Sequence, residues 1–218
     1  MKIYFLRHGE SEHDKDGMLR PDEIHGDGLT DDGETQVEEA AKVLAGLGIV
    51  RIISSDTLRS KQSTGIVSKE LGIGAENINY DKDLREMGVG KLAEEGKSLA
   101  DLKQVYAENR QGEYGAETYE EMHARTCRVL NRYEATVSEA MENGNGSILF
   151  SGHGHFNSML RYCICEGTDK PFDKQRFKIH DAQATNASVM VIDMDYKQEF
   201  RKAEFIHGGT RKEKQAED

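Results

Sequence analysis

Lys2-Ile3-Tyr4-Phe5-Leu6-Arg7-His8-Gly9 is a short apolar run that breaks into a guanidinium, an imidazole and a glycine. An unbroken run of this length and composition predicts a buried strand over 2–6. The pattern recurs twice. Val50-Arg51-Ile52-Ile53-Ser54 leads into Ser55-Asp56 and then Arg59, and Ser147-Ile148-Leu149-Phe150-Ser151 leads into Gly152-His153-Gly154. Open α/β sheets bind ligands beyond the carboxyl ends of their strands. The three exits are therefore expected to converge on one crevice. Arg59 falls in the first turn of the helix that follows its strand, and His153 at the start of the next. Helix starts carry free N–H groups and partial positive charge. Two arginines, two histidines and two helix starts together predict a cationic pocket of phosphate size.

The rest of the chain supplies alternating elements. Thr30 is expected to cap a helix over 31–46, with Val37, Ala40, Ala41 and Leu44 facing inward. Asp56 is expected to cap a second helix that ends near Gly72. Residues 99–110 read as a short helix, and Thr118-Tyr119-Glu120-Glu121 as a capping box that opens a long one to about Asn143. A further helix is expected from His153 to Cys165, with strands over 188–194 and 200–206. Residues 7–28 read as a polar loop and 73–97 as loop-rich. This order implies a three-layer α/β sandwich, a mostly parallel central sheet with helices on both faces. Residues 1–206 read as a single domain, with an insert at about 85–117 forming a small helical and loop cap over the site. Residues 207–218 read as a charged tail, too poor in apolar side chains to pack.

Composition excludes several classes. The 218 residues carry a net charge of −11, with 36% hydrophobic residues. Nucleic acid and anionic membrane both need a basic surface, so neither is an expected partner. No apolar run approaches the ~20 residues that cross a bilayer. The four apolar residues before Arg7 are too few for a secretory signal, and three cysteines do not make a disulfide framework. A cytoplasmic protein is expected. The acid is concentrated: residues 10–34 hold ten carboxylates against Lys15 and Arg20.

The strand exits carry a resemblance. Leu6-Arg7-His8-Gly9-Glu10-Ser11 is similar to the Arg-His-Gly signature of the histidine phosphatase superfamily, which includes the cofactor-dependent phosphoglycerate mutases. Gly28-Leu29-Thr30 with Gly33 and Gln36 resembles a second block of that family. Ser54-Ser55-Asp56-Thr57-Leu58-Arg59 with Ser60-Lys61-Gln62-Ser63 resembles its second arginine block, Ser151-Gly152-His153-Gly154 its second histidine block, and Asn186-Ala187-Ser188-Val189 the segment before its last core strand. Leu84-Arg85-Glu86 sits where the family keeps an acid/base glutamate. The blocks run in family order from residue 6 to about 192.

The resemblance implies roles that agree with the chemistry. His8 would be the nucleophile that forms a phosphohistidine. Arg7 and Arg59 would clamp the phosphoryl oxygens, and His153 would donate to them if protonated. Glu86 would protonate the leaving oxygen and then activate water. Gly9 would let the backbone approach and turn, Ser11 would contact phosphate or the entrance, and Gly154 would contact phosphate. No metal and no cofactor is implied, because phosphoryl transfer is mainly positioning and charge stabilisation.

The function implied is hydrolysis of a phosphomonoester on a small metabolite, by a monomer or homodimer. The alternatives are mutase-type phosphoryl transfer and a phospho-ligand-binding protein without turnover. Mutases of this family carry a tryptophan-containing loop after Arg-His-Gly and an arginine pair in the insert. This chain has no tryptophan, and Met87-Gly88-Val89-Gly90-Lys91-Leu92 and the residues up to Lys97 offer only isolated lysines. If the acidic stretch lines the mouth, it would repel a second anionic group. Outside the site, His13, His25, His123, His180 and His207 read as solitary, with His25 the one that could line the entrance. His155 reads as a bystander, and Cys163 and Cys165 as packing residues.

Overall fold

The three strand-like runs lie side by side in the computed structural model, which describes residues 2–20, 28–142, 146–181, 184–194 and 200–208. In chain order the elements are β1 (Lys2–Arg7), α1 (Glu12–Asp16), α2 (Asp31–Leu44), β2 (Ile49–Ser55), α3 (Leu58–Leu71), β3 (Ile78–Asp81), α4 (Leu99–Ala107), α5 (Gln111–Tyr114), α6 (Tyr119–Glu142), β4 (Ser147–Gly152), α7 (Gly154–Glu166), α8 (Lys174–His180), β5 (Val189–Met194) and β6 (Phe200–His207). The sheet order is β3-β2-β4-β1-β5-β6. The first four strands in sequence pair in parallel, and β5 runs antiparallel between β1 and β6. The sheet is mostly parallel, as the element order implied.

Register positions the site. Arg7 pairs with Gly152, and Ser54 with Ser151. The carboxyl ends of β1, β2 and β4 are therefore level, and His8, Ser55 and His153 emerge along one edge. Side chains alternate across the strand. Tyr4 and Leu6 enter the core under α2 and α3 with Val37, Leu44 and Val67, while Ile3 and Phe5 enter the core of the other face with Met122, Phe156 and Leu160. Burial on both faces explains why β1 reads as a continuous apolar run rather than an alternating one.

The insert has a core of its own. Leu92, Val105 and Ala116 pack with Leu19 from the loop after β1. Leu19 donates its N–H to Lys97 at 2.9 Å, and Leu99 to Gly17 at 2.9 Å. The first loop and the insert are thus joined into one wall over the strand ends.

Several expectations shift. The polar loop contains α1, and the stretch 73–97 contains edge strand β3, whose Asn79 and half-exposed Tyr80 hide the apolar signal. Helix α8 follows Asp173, whose carboxylate accepts from Gln175 and Arg176 N–H groups. Helix α3 is preceded by Thr57 rather than Asp56, because the Asp56 carboxylate is engaged by Arg85 at 2.6 and 2.7 Å. His207 closes β6, so the strand runs one residue into the stretch read as tail. Asn143 and residues 209–218 of that tail lie outside the described residues.

One close approach fixes the loop after β1. A Cβ on Gly33 would lie 2.0 Å from the Glu10 carbonyl oxygen, and one on Gly9 2.2 Å from that of Gly33. Backbone therefore packs directly on backbone where β1 meets the first turn of α2. Gly33→Ala must push the two apart and is expected to cost about 3 kcal/mol, a fall in Tm of roughly 6–12 °C by calorimetry. An unchanged Tm would contradict this contact.

Candidate active site

Backbone hydrogen bonds fix His8 on both sides: its N–H donates to Gly152 at 2.9 Å and its carbonyl accepts from Ala187 at 3.0 Å. The ring donates from Nδ1 to the Gly9 carbonyl at 2.7 Å. A carbonyl only accepts, so the proton sits on Nδ1 and Nε2 keeps its lone pair. That lone pair faces the Arg59 Nε, 3.3 Å away. Burial lowers the His8 pKa to about 3, helped by Arg59 and Arg7 and opposed by Asp14. The imidazole is neutral, and the ring belongs to the cavity lining with Nε2 held against Arg59.

Arg59, in the first turn of α3, also donates from Nη2 to His153 Nδ1 at 3.4 Å. His153 is fully buried just before α7, with its ring 5.1 Å from that of His8. Its Nε2 is 2.9 Å from Ser55 Oγ, and the hydroxyls of Thr57 and Ser60 lie 3.4 Å away. Burial and then Arg59 hold its pKa well below the ordinary value. The resting ring therefore accepts from Arg59 and is neutral, and the donation to phosphoryl oxygens expected of a protonated His153 belongs to a different protonation state.

Arg7 lies between the Ala184 carbonyl and Asp14, at 2.7 Å from each. Asp14 takes both the N–H and the hydroxyl of Ser11, at 3.1 and 2.9 Å, and stands 3.8 Å from His8 Nδ1. Burial would raise its pKa, but His8, Arg7 and the Ser11 donors outweigh burial and hold it well below the carboxylate range.

Glu86 approaches from the insert side. Its Oε1 accepts from the N–H groups of Met87 at 3.0 Å and Phe156 at 3.1 Å, and its Oε2 from that of His155 at 3.1 Å. The carboxylate thus sits on the start of α7. Desolvation opposes ionisation, but His155, the backbone donors and Arg7 outweigh it and hold the pKa below its usual value. Arg125, from α6, holds the segment that presents it by donating to the Asp83 and Arg85 carbonyls at 2.7 and 2.9 Å. A Cβ on Gly154 would stand at ordinary contact distance from both groups, 3.8 Å from Arg7 Nε and 3.9 Å from Glu86 Oε2, so Gly154 lies between guanidinium and carboxylate.

Residues 3–203 match the sequence model of the histidine phosphatase superfamily, branch 1. The chain belongs to this superfamily. It is 28% identical over 170 residues to fructose-2,6-bisphosphatase TIGAR of Xenopus tropicalis, covering 71% of this chain and 60% of that one. It is 32% identical over 92 residues to Probable phosphoglycerate mutase GpmB of Salmonella arizonae, covering 42% and 40%. These alignments span less than two thirds of either relative. The fold matches mycobacterial glucosyl-3-phosphoglycerate phosphatase, solved with VO3, at TM-score 0.72 with 19% identity over 96% of this chain and 99% of that one. It matches the alpha-ribazole phosphatase of Shigella flexneri at TM-score 0.68 with 19% identity over 97% of each.

Of the residues singled out by sequence, the fold brings Arg7, His8, Arg59, Glu86, His153 and Gly154 around one cavity of about 450 Å³. Gly9 and Ser11 are outside its lining. The Gly9 N–H faces Ser63 Oγ at 3.3 Å, and its close approach is to α2, with no left-handed φ. Ser11 is fully buried behind Asp14, so it positions a carboxylate rather than contacting phosphate.

Asp14 was missed, although Ser11 and Asp14 have capping-box spacing. Only the fold shows that this box faces Arg7. His155, read as a bystander, lends its N–H to Glu86 and its ring to the cavity wall. His13, read as solitary, also lines it. Among the described residues of 10–34, Asp14 is the only carboxylate in the lining, and Arg7 compensates it, while Asp16 pairs with Arg20 at 2.6 Å. The acidic stretch therefore does not set the sign of the described mouth. His25 lies outside the described residues.

Two neutral buried histidines have a pH signature. Their folded pKa values are depressed, so the unfolded chain binds more protons below about pH 6.5. Stability is expected to fall on acidification from pH 7, approaching a slope of about 1.4 kcal/mol per pH unit for each histidine above the folded pKa. Imidazole NMR resonances of His8 and His153 should still report neutral rings at pH 5. Titration of either near pH 6.5 would contradict the network.

Proposed function

We propose that this chain is a phosphomonoester hydrolase that works through a phosphohistidine on His8 and acts on a small phosphorylated metabolite. The observation that carries this reading is the unprotonated His8 Nε2 held against Arg59. Arg7 and Arg59 would take the phosphoryl oxygens, which spreads the charge of the transition state over two guanidinium groups. As the Nε2–P bond forms, the ester P–O bond breaks and the leaving oxygen needs a proton. Glu86 rests as a carboxylate, but a phosphate dianion beside it offsets the cationic field and adds like charge. Both effects raise its pKa and let it carry that proton. In the second step Glu86, again a carboxylate, takes a proton from water as the water oxygen attacks phosphorus. The Nε2–P bond breaks with its electron pair returning to Nε2, inorganic phosphate leaves, and His8 returns to its neutral state.

The lining adds Leu19, Leu99, Leu102, Tyr106 and Tyr119 to the two arginines. Of its further cations Arg20 is paired with Asp16 at 2.6 Å, which supports hydrolysis of a monophosphate over exchange between two anionic positions. Hydrolases also stand among the similar proteins, by their names. Within the described residues no helix is long and apolar enough to cross a membrane, and the three cysteines are free thiols. A cytoplasmic monomer or homodimer, with one domain that runs to the end of β6 at His207, completes the reading.

Release of p-nitrophenol from p-nitrophenyl phosphate should persist in excess chelator. With 3-phosphoglycerate, phosphate release should outpace formation of the 2-isomer. Faster isomer exchange would replace this reading with the mutase. No turnover of any ester would leave a binding protein.

A further inference from the structure

His123 and Cys127 lie one turn apart on α6, and Cys163 approaches them from α7. By sequence His123 is solitary and Cys163 a packing residue, because the third member comes from another helix. The ligating atoms of the three all lie within 4.8 Å of one another, and Cys127 Sγ is 3.6 Å from His123 Nε2. Ligands on a tetrahedral zinc, at the usual ~2.3 Å for sulfur and ~2.0 Å for nitrogen, stand about 3.5 Å apart. One edge of such a tetrahedron already has the required length.

We propose that His123, Cys127 and Cys163 bind a thiophilic divalent cation of the zinc class that bridges α6 and α7. The donor set selects for it. Two sulfurs and an imidazole suit zinc, whereas magnesium and calcium need oxygen ligands, and the cluster contains none. The surroundings hold the donors in place. Tyr162 and Phe172 each pack 5.7 Å from the His123 ring, and Cys163 is buried. Cys127 is half-buried, which leaves an entry path and a fourth position for water. Binding forms two S–metal bonds and one N–metal bond, and two thiol protons leave to solvent. No oxidant is involved. Cys163 follows His153 by ten residues, about 15 Å along the helix. The cation would therefore clamp two helices behind the pocket and take no part in phosphoryl transfer.

The test uses the full chain, reduced and stripped of metal, titrated with Co²⁺ and then Zn²⁺. The expected result is one Co²⁺ per chain with sulfur-to-cobalt charge-transfer and tetrahedral d–d absorption. One Zn²⁺ should displace it, with release of about two protons and a higher Tm. Cys127→Ser and His123→Gln should each bleach the bands and weaken binding by about tenfold or more, while Cys165→Ser leaves both unchanged. Cys127 is half-buried, so its serine variant is expected to fold even where a change at Cys163 does not. Three results would each overturn the proposal: absence of the charge-transfer bands, bands that persist in the two variants, or Cys127–Cys163 disulfide formation under peroxide without cobalt uptake by the reduced protein. Hydrolysis of p-nitrophenyl phosphate, read separately, is expected to be indifferent to all three metal states.

Discussion

His8→Ala is expected to lower kcat for p-nitrophenyl phosphate by about 10⁴-fold or more while leaving the fold intact. The His8 ring supplies the Nε2 lone pair that attacks phosphorus in the proposed reaction, whereas the His153 ring has Nδ1 engaged by Arg59 and Nε2 against Ser55. Arg7, Arg59 and the helix starts remain, so phosphate should still bind and competitive inhibition by phosphate should survive the substitution. That split between lost turnover and retained binding separates a nucleophile from a packing residue. The check is steady-state kinetics beside a phosphate titration of the variant. Turnover within tenfold of the parent would remove His8 from the chemistry.

The second large effect is at Glu86, and it depends on the substrate. Glu86→Gln removes the group that carries the proton in both steps, and general acid–base catalysis is worth roughly 10²–10⁴-fold. An alkyl phosphate leaves as a strongly basic alkoxide and needs that proton, so kcat/KM should fall by the full factor. p-Nitrophenolate is a far weaker base and leaves largely unaided, so its kcat/KM should fall much less. kcat for both should still drop where hydrolysis of the phosphoenzyme limits, because Glu86 also serves as base. An equal fall in kcat/KM for the two esters would make Glu86 a structural anchor for α7, which its three backbone hydrogen bonds would also serve.

His8 and Glu86 are both legible in the sequence, whereas several features around them are not. β1, β4 and the second half of β2 are buried on both faces, so each shows as an apolar run, and each leads to a site residue at or beyond its end. β3 lies at the sheet edge, exposes Tyr80 and contributes no such run. Asp14, His13 and His155 enter the site by the path of the chain in three dimensions: α1 folds the loop back onto Arg7, and α7 starts against Glu86. No spacing rule reports that convergence. The protonation state of His153 was also hidden. Its burial and its acceptance from Arg59 follow from α3 and α7 both starting at the carboxyl edge of the sheet, one from each face, and they make the resting ring neutral where sequence allowed a cation. The cysteine cluster was hidden for the same reason: half of its signal, His123 and Cys127 at helical spacing, stood in one segment and the other half stood thirty-six residues on.

The central claim is a covalent P–N bond at one ring nitrogen. Rapid acid-free quenching of the enzyme during turnover of a ³²P-labelled phosphomonoester, followed by peptide mass spectrometry, tests it most directly. The prediction is an acid-labile, base-stable label on the peptide that carries His8, formed in a burst and discharged as phosphate appears. A label on a different residue, or steady turnover with no phosphoenzyme at any time, would contradict it.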